Sequence, residues 1–218
     1  HADPPGHTRT TDARGRVVGG LGRDEGADRN IAVAKLVRSD GNRQEGQVVG
    51  VRDGEVRNDL GESCGPTLRL YAAQGAAGES PFNTVEPSEV DVATALDTPT
   101  DRFPLFENLG DVPVALVVSL DLAAVASMDK DLDRVGLVTG ASIYPLVWNI
   151  LLAARAEGLG GVVTTAVVPV EAEVRRLLDL PETHAVAALI PLCLFSTSDA
   201  ADDSSRLDPG VCPVPNKQ

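Results

Sequence analysis

The residues able to do chemistry fall in a few short stretches, and most of the familiar arrangements fail on spacing. Asp129, Asp131 and Asp133 alternate as the first ligands of an EF-hand loop do. Arg134 stands where that loop needs its turn glycine, however, and Gly140 where it needs a bidentate glutamate, so a calcium site is not expected. Ser142 in "GASIYP" lacks the G-x-S-x-G setting of a nucleophile elbow, and His184 has no acidic partner evident in the sequence. His184 therefore reads as a structural residue at a strand edge. The glycine runs are no better. "GLGG" at 158–161 leaves a helix and enters a strand, the reverse of a dinucleotide fingerprint, while "GGLG" at 19–22 leads into a segment without helical apolar spacing. Cys64, Cys193 and Cys212 are odd in number and widely spaced, so neither a disulfide framework nor a zinc site follows. Two polar groupings remain. Ser39, Asn42, Arg43 and Gln44 lie together in the turn-rich "SDGNRQ", and Thr164 and Thr165 form a pair that strand propensity alone would also explain.

Composition limits what these groups can serve. The chain of 218 residues is 43% hydrophobic but only 3% aromatic, so its core must be built from many small aliphatic side chains. Net charge is −13, and the stretch from Glu86 to Asp133 carries 11 acidic residues against Arg102 and Lys130. A field of that sign repels phosphate backbones, which excludes nucleic acid as the expected partner and makes the acidic run a solvated surface insertion. No basic region followed by an apolar one opens the chain, and His1 is not an initiator, which implies a missing N-terminal piece. With the cysteine pattern, the expectation is a reducing, cytoplasmic setting.

The elements that must position the polar groups follow from periodicity. "QVVGVRD" at 47–53 is a short strand, and two short helices follow, broken at Gly65-Pro66. From Glu79 to Gly110 the chain is irregular and interrupted by four prolines; a segment of that length is a candidate lid, carrying Phe82, Phe103 and Phe106, or an arm that wraps a second subunit. "VPVALVVSLDL" at 112–122, "GVVTTAVV" at 161–168 and "HAVAALIPL" at 184–192 read as strands, and "EAEVRRLLDL" as an amphipathic helix with Val174, Leu177 and Leu178 on one side. Residues 1–34 and 194–218 read as irregular. No charged residue occurs between Val135 and Ala154. Ser142 as N-cap, Pro145 in the first turn and Gly158 as stop define a helix over about 142–157, which at 1.5 Å per residue spans about 24 Å, short of a bilayer core of about 30 Å. A membrane span is thus rejected. Apolar residues on both sides make this a helix buried nearly all round, in the core or under a second subunit, with Asn149 as its lone interior polar group.

In order and spacing, "SDGNRQ", "ASIYPLVWNILLAARAEGLGGVVTT" and "EVRRLLDLPETHAVAALIPL" resemble the FMN-dependent nitroreductase family, most strongly over residues 38–193. The resemblance implies an α+β fold in a single domain over 1–218: a mainly antiparallel sheet surrounded by helices, in a homodimer with the central helix near the subunit interface. It also implies FMN as cofactor and NAD(P)H as electron donor, in ping-pong reduction of a nitroaromatic, quinone or similar small acceptor. A flavin needs polar partners at its pyrimidine edge, cations at its phosphate and a donor near N5. The resemblance puts Asn42 and Gln44 on the ring and ribityl chain with Ser39 nearby, Thr164 and Thr165 toward N5, and Arg9, Thr10 and Arg14 of "TRTTDAR" at the phosphate. Departures are specific. Arg38 replaces the usual Pro, Asp40 a small residue and Cys193 a Gly, no amphipathic helix surrounds Arg9, and Arg206 is the only cation in the segment "CLFSTSDAADDSSRLDPG" that follows the last strand. Both ends depart from the pattern, which leaves open a non-catalytic dimeric remnant with weak or lost flavin binding.

Overall fold

The structure is a computed structural model that describes residues 46–99 and 103–194, together with the backbone of three strands before them. Those three are β1 (Thr10–Thr11), β2 (Val17–Val18) and β3 (Ile31–Lys35); β1 and β2 pair with each other. The main sheet adds β4 (Gly46–Val51), β5 (Val114–Asp121), β6 (Leu159–Gly161) and β7 (His184–Leu194) to β3. Its order is β3-β4-β5-β7-β6, with every neighbouring pair antiparallel. The expected α+β architecture with a mainly antiparallel sheet is therefore the one observed.

Both faces of this sheet are covered, which is why β5 and β7 read as nearly unbroken apolar runs. On one face, Val49, Val51, Ala115, Val117, Val186 and Leu189 pack against helices α1 (Gly54–Ser63), α2 (Gly65–Ala76) and α7 (Glu171–Leu178). On the other, Val48, Val118, Leu120, Ala188, Ile190 and Leu192 meet Ile143, Val147 and Ala154 of the central helix segment. Fully burying a Val or Leu side chain contributes about 1.5–3 kcal/mol, so these small residues accumulate a large driving force without aromatics. Along β7 the alternation is broken: Ala187 and Ala188 both belong to the second face. A register shift opposite Val118 and Ser119 accounts for this as a β-bulge.

Local signals start and stop the helices. Asp53, extended at φ −70° and ψ 122°, caps α1 by accepting from the Glu55 and Val56 amides at 2.9 and 3.2 Å. Pro66 in the first turn of α2 produces the expected break after α1. The α7 stripe of Val174, Leu177 and Leu178 is buried as its spacing predicts, and Glu171 and Glu173 in the first turn with Arg175 and Arg176 in the last suit the helix dipole. Among its described residues, the irregular excursion after α2 contains two four-residue helices, α3 (Val92–Ala95) and α4 (Pro104–Glu107), and a 3-10 turn at Leu109–Asp111.

Four expectations are corrected: residues 1–34, read as irregular, contain β1, β2 and most of β3, and three others concern the segment around the central helix. The central helix, α6 (Tyr144–Ala156), starts two residues late, because Ser142 instead ends a separate short helix, α5 (Val138–Ala141). Nor is α6 enclosed on all sides within one chain: Trp148 is 62% and Leu152 54% exposed, and Asn149 is exposed rather than a core amide. Last, "GVVTTAVV" is a strand only at Gly161, since beyond it one bridge, Thr164 to Leu189, joins it to the sheet. The reason is local: the Thr164 hydroxyl accepts from the Ala166 amide at 3.2 Å and turns the chain off the sheet edge. Among the described residues, no helix is long and apolar enough to cross a membrane.

Candidate functional site

The site begins where α6 ends. Gly158, at φ 76°, adopts the left-handed conformation that lets the chain leave α6 and enter β6 at once. Three residues past β6, Thr164 pairs with Leu189 of β7 through both its N–H and its carbonyl, each at 2.9 Å. With its hydroxyl oxygen also accepting from the Ala166 amide, Thr164 has only its hydroxyl proton left to donate. Thr165 differs. Its carbonyl accepts from the Val168 amide at 2.9 Å, but it is exposed, and its N–H and hydroxyl make no hydrogen bond among the described residues. Of the threonine pair, Thr165 is thus the exposed residue with both its N–H and its hydroxyl open to a ligand, a distinction that strand alternation alone did not supply.

Beyond Thr165 the chain turns back toward the sheet. The Glu171 amide donates to the Val168 carbonyl at 3.1 Å, and the Glu171 carboxylate accepts from the Val186 amide of β7 at 2.7 Å. The other Glu171 oxygen pairs with Arg175 at 3.1 Å, and Arg175 also donates to the carbonyls of Glu182 and His184. On the opposite face, the Tyr144 hydroxyl lies 3.4 Å from the Ala187 carbonyl, so α6 and α7 both reach the bulge of β7.

The remaining sequence-selected groups separate into structural and undescribed ones. Arg9, Arg14, Ser39, Asn42 and Gln44 lie outside the described residues, and Thr10 is placed only by its backbone in β1. His184 does have an acid near it: Asp121 faces it across the β5–β7 pairing, and the Ser119 hydroxyl lies 3.0 Å from its Nδ1. The Asp121 carboxyl is held below its usual range by the Ala123 amide, the Thr183 hydroxyl and the charge of His184. Ser119 is 0% exposed, however, so this serine cannot reach a substrate and Ser119, His184 and Asp121 do not act as a hydrolytic triad. Asp129 is likewise structural. Its carboxylate, 4% exposed, accepts from the Leu137 and Val138 amides, Arg134 and Ser127, so protein donors occupy the oxygens a calcium ion would need. No group of three or more potential metal ligands occurs among the described residues.

The excursion between α2 and β5 is fastened near both ends. Gln74 accepts from the Phe82 amide at 3.0 Å, and the Tyr71 ring meets those of Phe82 and Phe103 at 6.3 and 5.8 Å. At the far end, buried Arg57 donates to the carbonyls of Val51, Leu109 and Gly110. Beneath Phe103 and Phe106 lies an open cavity of about 420 Å³, lined also by Asn58, Leu68 and Arg69; none of its lining residues belongs to the Thr165 edge. Phe103 and Phe106 thus pack against α1 and α2 instead of hanging free.

The sequence profile described as the Nitroreductase family matches residues 28–192, more than half of the chain and the whole of the main sheet up to Leu192. This chain belongs to the nitroreductase family. The matched span includes α6, the Thr164–Thr165 edge and β7, so the site just described is built from family segments. No curated protein sequence matches the chain. Among solved structures it is similar to oxidized iodotyrosine deiodinase bound to FMN and 3-iodo-L-tyrosine, at 18% identity and a TM-score of 0.46 over 75% of this chain and 73% of that one. It is also similar to the NADPH:FMN oxidoreductase of Vibrio harveyi complexed with NAD+, at 22% identity and a TM-score of 0.43 over 81% and 57% of the two chains. A third likeness is to nitroreductase A of Vibrio parahaemolyticus, at 20% identity and 0.42 over 73% and 54%. The aligned region spans little more than half of each Vibrio protein.

Proposed function

We propose that this nitroreductase-family chain is an FMN-dependent oxidoreductase that takes electrons from NAD(P)H and passes them to a nitroaromatic, quinone or similar small acceptor. The observation that carries this reading is the Thr165 edge: an exposed residue with an uncommitted N–H and hydroxyl, held at the end of a family segment by two backbone bonds from Thr164. Such a donor fits the redox edge of a flavin, because a fixed N–H or O–H interacts differently with the oxidised and reduced ring. FMN would supply the hydride and electron chemistry. The chain's own part is to bind, orient and shield: Thr165 at the ring, Asn42 and Gln44 at the ring and ribityl chain with Ser39 beside them, and Arg9, Thr10 and Arg14 at the phosphate.

The exposed side of α6 supports a homodimer. Tyr144, Trp148 and Leu152 recur every four residues and form one apolar stripe along the helix. Covering it with a second copy would place the subunit boundary beside the strand that leads to Thr165.

The full chain is purified, examined for flavin absorbance, incubated with FMN, and treated with NADH or NADPH without oxygen. The expected result is a yellow, FMN-loaded protein that one or both nicotinamides bleach and that a quinone or nitroaromatic recolours. A colourless protein that takes up no FMN overturns the enzyme reading and leaves a dimeric remnant of the fold. A loaded protein that neither nicotinamide reduces overturns the donor assignment.

A further inference from the structure

The segment from Thr164 to Glu171 is an arch with two feet on the same strand. One foot is the pair of 2.9 Å bonds between Thr164 and Leu189. The other is the 2.7 Å bond from the Val186 amide to the Glu171 carboxylate. Between them the arch is braced internally, Val168 donating to Thr165 and Glu171 donating to Val168. Thr165 follows the first foot directly, and its carbonyl is connected to the second by that brace. A displacement of Glu171 is therefore passed to Thr165 through two hydrogen bonds.

The second foot stands where β7 most needs support. The register shift opposite Val118 and Ser119 breaks the regular ladder, and Val186 lies at that break. Because side chains alternate with a period of two, loss of the bulge would move Leu189 and its Thr164 partner to the other face of the sheet. Glu171 is itself held in place: its second oxygen pairs with Arg175, whose guanidinium is fixed on the His184 and Glu182 carbonyls. A glutamate on the first turn of α7 thus joins that helix, the bulge and the turn carrying Thr165.

We propose that Glu171 is a positioning residue for the Thr165 donor, fixing the Thr164–Leu189 edge through its bond to the Val186 amide; this rests on the flavin reading of that edge. What the role requires at position 171 is an acceptor long enough to reach the Val186 amide, steadied by a second oxygen that accepts from Arg175.

Three variants of the full chain test this: Glu171→Ala removes the acceptor, Glu171→Asp keeps the charge but shortens its reach, and Glu171→Gln keeps a full-length acceptor for the Val186 amide while giving up the pairing with Arg175. The first measurement is amide hydrogen exchange at Thr164, Val168 and Leu189, with the β4–β5 pairing as internal reference. Exchange at the three sites is expected to rise about tenfold in the Ala and Asp variants, the scale of one lost buried hydrogen bond, with the reference pairing unchanged and Gln between the parent and Ala. The second is FMN affinity, expected to weaken about tenfold in Ala and Asp and to recover in part in Gln. Equal acceleration at the reference pairing, no change at Thr164, or a Gln variant no better than Ala would each overturn the role. A parent chain that binds no FMN sinks the flavin reading alone, because the exchange experiment uses no cofactor and still decides whether Glu171 holds the arch.

Discussion

At the scale of single residues, three side chains have consequences that their sequence positions did not announce. Arg57 sits in the middle of an ordinary-looking amphipathic helix, yet it is buried and holds three main-chain carbonyls from two segments. Burial lowers its pKa against the opposing pull of Asp53 and Asp111. Arg57→Met leaves those carbonyls short of a donor and is expected to cost about 3 kcal/mol, read as a lower midpoint in urea unfolding with an unchanged slope. Asp129 is held well below its ordinary value of 3.8, first by the Leu137 amide and then by Arg134. A carboxylate with a depressed folded pKa stabilises the fold fully above its unfolded value and loses that contribution as pH falls through the folded one. Asp129→Asn should therefore melt below the parent at pH 7, and the gap should close as pH is lowered below about 4; a gap independent of pH would refute the linkage. Thr165 gives the third prediction. Thr165→Pro, which removes the N–H, should weaken FMN binding about tenfold and Thr165→Val less, whereas unchanged affinity in both would show that this residue does not face the cofactor.

At the scale of elements, close approach between helices decides what can change. Gly61 of α1 lies against the Phe106 carbonyl of α4, leaving no room for a methyl group. Gly61→Ala must push α4 away and is expected to cost about 1–3 kcal/mol, with altered near-ultraviolet dichroism from Phe103, Phe106 and Tyr71. An unperturbed aromatic signal would mean that α4 does not pack on α1 in this way. Elements marked by strong periodicity were legible from sequence: α7 by its apolar stripe, β5 and β7 by their continuous apolar runs. Those that failed did so where a side chain competes with the backbone ladder, as Thr164 does, or where two adjacent short helices share a boundary, as α5 and α6 do at Ser142. The bulge in β7 left only a weak trace, two adjacent alanines where alternation calls for one inward and one outward residue.

At the scale of the whole molecule, the central helix has one side in the core and the other bare. Ile143, Val147 and Ala154 are buried on the sheet, while Tyr144, Trp148 and Leu152 face outward. With the proposed dimer covering that stripe, Trp148→Glu should give a monomer at concentrations where the parent elutes and scatters light as a dimer, since an unpaired buried charge is strongly unfavourable. FMN binding should fall with it if the cofactor lies at the subunit boundary. A parent that is monomeric throughout would remove the dimer from the proposal.

The strands β4, β5 and β7, the helix α7, the rejection of a membrane span and the resemblance to nitroreductases were all available from the chain itself, because each depends on local periodicity, length and the sequence of short motifs. Tertiary structure decided the rest. It separated Thr165 from Thr164 by pairing one with Leu189 and leaving the other's donors uncommitted. It made Asp129 a loop anchor, His184 the partner of a buried serine, and Glu171 a foot of the arch. These assignments depend on contacts between residues far apart in sequence, and no local pattern encodes which distant amide a side chain will meet.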